Sequence, residues 1–370
     1  VDRIYIGHIP GVGAAALTGV GLFTPILMLI NAFAMLAGSG GAPRAAISMG
    51  KKDNATAEKI LGNCFSLLIL MAVALTVIFF AFAPQLLTMF GASDKTLPYG
   101  VSYARIYILG SIFVLIVIGM NPFIPTQGFA KISMMTTLIG AVINIILDPI
   151  FIFGLNMGAG GAALATVLSN VVSAVLFIVL LVAKSQRLSV RPGDCSVQGT
   201  KLREILVIGV PASITNLMQS FAMALTNRFL LPYGTANVAA LGLALKVNMI
   251  VMLIMVGFAF GAQPLLGYNH GANNRERLRD ILKFDVLVQL VFSVVMTVVF
   301  LISAPQIIRI FMSNGGVIQA GSRILRCMVI TMPLMGIILV CTTLFQAAGK
   351  AMPAFLLSIS RQGVALLICM

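Results

Sequence analysis

Ten stretches of nearly unbroken apolar sequence, each long enough to cross a bilayer, leave this chain few folds to choose from. They cover roughly 14–37, 58–81, 100–124, 132–153, 160–183, 205–230, 236–265, 281–303 and 322–346, with a last one opening near 352. In hydrocarbon a backbone has to satisfy its own polar groups, and a run of about 20 apolar residues does this as a helix. The expected fold is therefore an all-α polytopic membrane protein. Hydrophobic residues make up 59% of the chain and charged residues 9%, too few charges to coat a water-soluble surface of this size. Since the spans are apolar all round, periodicity does not fix their faces.

Loop charge sets the orientation. Arg44, Lys51, Lys52 and Lys59 share one loop, five basic residues fall in 184–203, and Arg275, Arg277, Arg279 and Lys283 cluster in a third. The positive-inside rule places these loops in the cytoplasm. Lys131 and Lys350 fall on the same side when the spans alternate, and the loops near 154–160 and 231–235 carry no Lys or Arg, whereas the loop at 304–321, expected outside, contains Arg309. A net charge of +14 thus reflects topology rather than nucleic-acid binding.

Several chemistries are unsupported. The five cysteines are scattered without C-x-x-C spacing, and His8 and His270 stand alone, so neither a disulfide frame nor a zinc site is expected. Gly11 to Gly13 follows no strand, and Gly38 to Gly41 lacks the Lys-Ser/Thr of a phosphate loop. No nucleophile, base and oxyanion set stands at a recognisable spacing, so no enzyme and no cofactor are expected.

The chain repeats itself. Pro43, Gly50, Pro84, Gln85 and Phe90 recur 221 positions later as Pro264, Gly271, Pro305, Gln306 and Phe311. A gap that shortens the offset to 219 would then align Gln127 with Gln346 and Lys131 with Lys350. Parallel repeats imply two six-helix bundles related by a pseudo-two-fold along the membrane normal. The expected lobes are 1–184 and 204–370, joined by a cytoplasmic linker at 185–203. Val1 to Gly7 opens in an apolar run without an initiator Met or signal peptide, so a first helix is expected to start ahead of Asp2 and a twelfth to follow Met370.

Within this apolar background Asp148 is the costly residue, since a carboxyl at the centre of a span costs about 2.5 to 3.5 kcal/mol on insertion scales. Asn144 stands one turn earlier on the same face, and Pro149 deprives the carbonyl of Ile145 of its helical donor. At about 1.5 Å per residue, Asp148 is about five residues below the outer end of its helix, with Thr166 and Asp2 each about six below theirs. The three share a depth, which points to one pocket. The bland alternatives are an Arg partner for Asp148, snorkelling of Asp2 beside Arg3, and small-residue helix packing for the stripe Thr166, Ser169, Asn170 and Ser173. In the second lobe Lys246 and Arg361 approach the midplane, where they face a cavity or pair with an acid.

V-D-R-I-Y-I-G at Val1 to Gly7, G-G-A-P-R and M-G-K-K-D-N-A-T-A-E-K-I-L-G-N ending at Asn63, N-I-I-L-D-P-I-F at Asn144 to Phe151, and G-A-Q-P-L-L-G-Y-N-H-G-A at Gly261 to Ala272 resemble the multidrug and toxic compound extrusion (MATE) family, in its bacterial DinF- and MepA-like branch. The resemblance implies a 12-helix, two-lobed, V-shaped antiporter, monomeric in the bacterial plasma membrane, that expels small organic cations in exchange for Na⁺ or H⁺. The family's N-lobe cation site falls on Asp2, Asn144, Asp148 and Thr166. The carboxylate that another branch places on its seventh helix would fall on Gln219, which is neutral, so the coupling cation is expected in the N-lobe. A flippase of the same superfamily, with a cationic cavity around Lys246 and Arg361 for a lipid-linked pyrophosphate, is the rival expectation.

Overall fold

The break points of the helices, more than the helices themselves, show how the chain is organised. The computed structural model describes residues 2–183, 202–214, 235–311 and 315–360. In chain order the helices are α1 (Asp2–Gly7), α2 (Gly13–Leu22), α3 (Thr24–Gly50), α4 (Asn54–Met89), α5 (Leu97–Leu109), α6 (Ser111–Met120), α7 (Phe123–Thr126), α8 (Ala130–Pro149), α9 (Gly158–Ala183), α10 (202–214), α11 (Thr235–Gly271), α12 (Arg275–Phe311), α13 (Gly315–Ile330), α14 (Met332–Ala347) and α15 (Ala351–Ile359). There is no strand among the described residues.

Among the described residues six helical runs are long and apolar enough to cross a membrane, and two bent pairs, each taken as one span, bring the total to eight. The pairs are α5 with α6–α7, bent by 57°, and α13 with α14, bent by 45°. All eight lie on segments expected from the sequence; the span expected at 205–230 is described only in its first part, as α10, and the last only as α15.

The repeat governs local structure. Asp53 caps α4 by accepting from the Thr56 N–H at 3.0 Å, and 221 residues on Asn274 caps α12 by accepting from the Arg277 N–H at 3.1 Å. The preceding turns place Lys52 and Asn273, again 221 apart, at φ 63° and 55°. Pro43 and Pro264 lie within α3 and α11, Pro84 and Pro305 within α4 and α12. Even the bends coincide, at Gly110 and Thr331.

One expectation is corrected. The backbone needs no gap, because Gly128 and Gly349, at φ 90° and 73°, still keep the 221 spacing. Their amides donate to Pro125 and Gln346, and the next amides, of Phe129 and Lys350, to Ile124 and Phe345. Gln346 therefore corresponds to Pro125 and Lys350 to Phe129; the matches to Gln127 and Lys131 were of residue type, not of position.

The chain divides into two compact units, Val1–Ala45 with Asp53–Ser213, and Ala46–Lys52 with Ile214–Met370. In the first, α10 is held to α3, where the Ser213 hydroxyl donates to the Ala32 carbonyl at 2.8 Å. In the second, the last turn of α3 packs on α11 through Gly50 and Gly271, where any Cβ would collide with the carbonyls of Tyr268 and Ile47 respectively. The second core is built from Val251, Met255, Leu325, Val329 and Met332. Outward faces are apolar as well: Leu70, Val73 and Val77 on α4, and their repeats Val291, Val294 and Val298 on α12, are all exposed, as a face solvated by lipid requires.

Candidate functional site

Three elements of the first unit, α1, α8 and α9, pack together and bring Asp2, Asn144, Asp148 and Thr166 into one hydrogen-bonded group. Its base is the end of α8. Pro149 cannot continue the helical ladder, and the chain widens into a π-turn over Ile150–Gly154. Above it Phe153 meets Tyr5 of α1 edge-on, with centroids 6.4 Å apart.

Asn144 Nδ2 donates toward Asp148 Oδ1 at 3.4 Å and Thr166 Oγ1 at 3.3 Å. The Thr166 hydroxyl lies 2.6 Å from Asp2 Oδ2 and 3.1 Å from the Ala162 carbonyl. With one proton to give, it favours the carboxylate, where the bond is charge-assisted. Asp148 is fully buried, yet its Oδ2 has no hydrogen-bond partner, and the Asp2 carboxyl is close enough to interact with it directly.

The bland alternatives can be set against this geometry. No Arg or Lys among the described residues pairs with Asp148. Arg3 turns to the first turn of α3, donating to Thr24 Oγ1 at 2.7 Å, and leaves Asp2 to Thr166. The stripe on α9 divides: Thr166 joins the group, whereas Ser169 and Ser173 are buried and donate to carbonyls of their own helix, with Ser173 against Gly140 of α8. Those two serines are packing residues. Asn170 gives its amide to the Thr166 carbonyl at 2.8 Å. Lys246 is exposed on α11, with no carboxylate paired to it among the described residues, so pairing with a described acid is not its role. Gln219 and Arg361 lie outside the described residues.

An aromatic wall was not anticipated. Tyr103 and Tyr107 of α5 stack at 6.0 Å, and Phe23, at the junction of α2 and α3, sits edge-on to both. Their helix packs on α9, which carries Thr166. Three of the chain's six tyrosines, Tyr99, Tyr103 and Tyr107, recur at i, i+4 and i+8 on α5, and that spacing was the available signal. No group of three or more His, Cys, Asp or Glu suited to a metal is found among the described residues, and the described cysteines 64, 327 and 341 are free.

Fold and site together define a polytopic helical membrane protein whose first unit gathers two carboxylates, an amide and a hydroxyl at membrane depth. The MatE family profile matches residues 1–150 and 211–370, and the chain belongs to that family, the MATE transporters. It is 29% identical over 346 residues to the multidrug export protein MepA of Staphylococcus haemolyticus, covering 93% of this chain and 76% of the relative. The MepA of Staphylococcus aureus strain MRSA252 is 29% identical over 354 residues, covering 95% and 77%. Among solved structures, a multidrug resistance MATE transporter in an outward-facing conformation superposes with a TM-score of 0.90 at 26% identity, over 98% of this chain and 81% of that one. A transporter of the MOP superfamily from Pyrococcus furiosus, for which a binding pocket of reverse polarity suggests a different function, superposes at 0.86 with 26% identity, over 98% and 80%.

Proposed function

We propose that this protein is a secondary active antiporter that exports small organic cations in exchange for H⁺ or Na⁺, and that Asp2, Asn144, Asp148 and Thr166 hold the coupling ion. The observation that carries this is the free Oδ2 of a fully buried Asp148 beside a second carboxyl. A fully buried carboxylate beside a half-buried one, with no basic partner among the described residues, calls for a positive charge between them. A proton serves on either oxygen; Na⁺ would draw on the carboxylate, amide and hydroxyl oxygens. A cationic cargo competes for the same negative charge, so each expels the other, and rocking of the two lobes would expose the site alternately to either side. The acidic group in the first unit favours cationic cargo over a lipid-linked pyrophosphate. Relatives named as multidrug export proteins support the cargo class, and their staphylococcal hosts support a bacterial plasma membrane.

Asp148→Asn, made in the full-length protein, removes the charge while keeping the shape. In vesicles with H⁺ and Na⁺ gradients imposed separately, gradient-driven efflux of a fluorescent organic cation should fall to the passive leak while insertion is unchanged. Efflux at the wild-type rate would overturn the assignment, and the gradient that drives the wild type identifies the ion.

A further inference from the structure

The second unit buries a carboxylate that the exchange proposed above does not use. Asp285 is 5% exposed, and Gln289, one turn on along the same face of α12, is fully buried. This face packs against α11 and α14, where the Met255 carbonyl and the Gly336 backbone meet Gln289. Gln289 Nε2 donates to Met255 O at 2.6 Å, which fixes the amide and turns Oε1 away to a place where it has no partner. Asp285 Oδ2 has none either. Two acceptors a turn apart, both out of water, lack a single hydrogen.

We propose that Asp285 and Gln289 form a second proton-binding site, in which Asp285 carries the proton and its O–H donates to Gln289 Oε1. Among the described residues nothing neutralises an ionised Asp285. The buried polar residues of α11 and α14, Gln263, Asn269, Thr343 and Gln346, are neutral. On α12 the nearest charges, Asp280 and Lys283, are exposed, as are Lys246 and His270 of α11 and Arg323 and Arg326 of α13; Cys341 of α14 is half-buried. A metal cation would find only the Asp285 carboxylate and Gln289 Oε1, far short of a coordination shell.

Packing does not demand these residues. The positions 221 earlier, on α4, are Cys64 and Leu68, both buried, so a thiol and an aliphatic side chain fill the equivalent space in the first unit. A carboxyl and an amide at this depth are an addition particular to the second unit.

Infrared spectroscopy of the full-length protein in lipid vesicles at neutral pH tests this. Wild type should show the C=O stretch of a protonated carboxyl that disappears in Asp285→Asn, moves to higher frequency in Gln289→Leu, and persists in Asp148→Asn, which separates this site from the one above. Exchanging K⁺ for Na⁺ in the buffer should leave it in place. Loss of an ionised-carboxylate band in Asp285→Asn, with the protonated region unchanged, would overturn the proposal, and so would removal of the band by Na⁺. If Asp285→Asn fails to insert, Gln289→Leu decides, since a spectrum without a displaced band refutes the hydrogen bond.

Discussion

Thr166 is the hinge of the first-unit group because a hydroxyl can donate and accept at once. It gives its proton toward Asp2 at 2.6 Å and receives from Asn144 at 3.3 Å, so it ties α1 to α8 through α9. Hydrogen bonds to charged groups are worth about 1.5–3 kcal/mol, so Thr166→Ala should raise the half-saturating concentration of the coupling ion by about tenfold or more. Thr166→Ser keeps the hydroxyl and should stay close to wild type. Ion titrations of dye efflux measure both. At this scale the sequence was most legible where hydrocarbon makes a residue expensive: Asp148 stands out because it has to be accounted for. Tyr103 and Tyr107 did not, since an aromatic ring costs nothing in a span and reads as filler until its neighbours are known.

At the scale of elements, every described span was visible as an apolar run, and the irregularities inside the spans were not. The π-turn after Pro149 and the 57° bend at Gly110 interrupt no hydrophobic pattern, because the residues on either side are as apolar as those in a straight helix. The 219 offset failed for a related reason: identical residue types two positions out of register outweighed a glycine pair whose φ could not be seen. Gly110 links a bend to the site. Its absent side chain leaves room for Val167 of α9, next to Thr166, and an added Cβ would come within 2.8 Å of the Val167 Cβ and closer still to its methyls. Overpacking of this kind costs about 1–3 kcal/mol. Gly110→Ala should therefore lower the unfolding temperature of the purified protein and weaken ion affinity together, and Val167→Ala in the same chain, which removes the methyls but keeps the close approach of the two Cβ atoms, should restore only part of both.

For the whole molecule, composition announced the membrane, and loop charge with the repeat announced two units of one plan. The repeat is strict enough to carry caps, bends and lipid-facing stripes at one offset, yet the two units differ where chemistry is placed. The first holds Asp148 and its partners at the end of α8, whereas the second holds Asp285 and Gln289 on α12, where the first has Cys64 and Leu68. Duplication supplies a scaffold twice, and ionisable groups are then set in it asymmetrically. If the first-unit group exchanges ion for cargo, linkage requires that the coupling ion weaken cargo binding by the same factor as cargo weakens ion binding. For useful exchange that factor should be about 5 to 150, or about 1–3 kcal/mol of coupling. Equilibrium binding of a fluorescent cation at several ion concentrations, and of the ion at several dye concentrations, should return one common value. Asp148→Asn should bring it to one, because a group that no longer holds the ion has nothing left to surrender to the cargo. A factor that differs between the two directions, or that survives the substitution, would mean that ion and cargo meet elsewhere in the molecule.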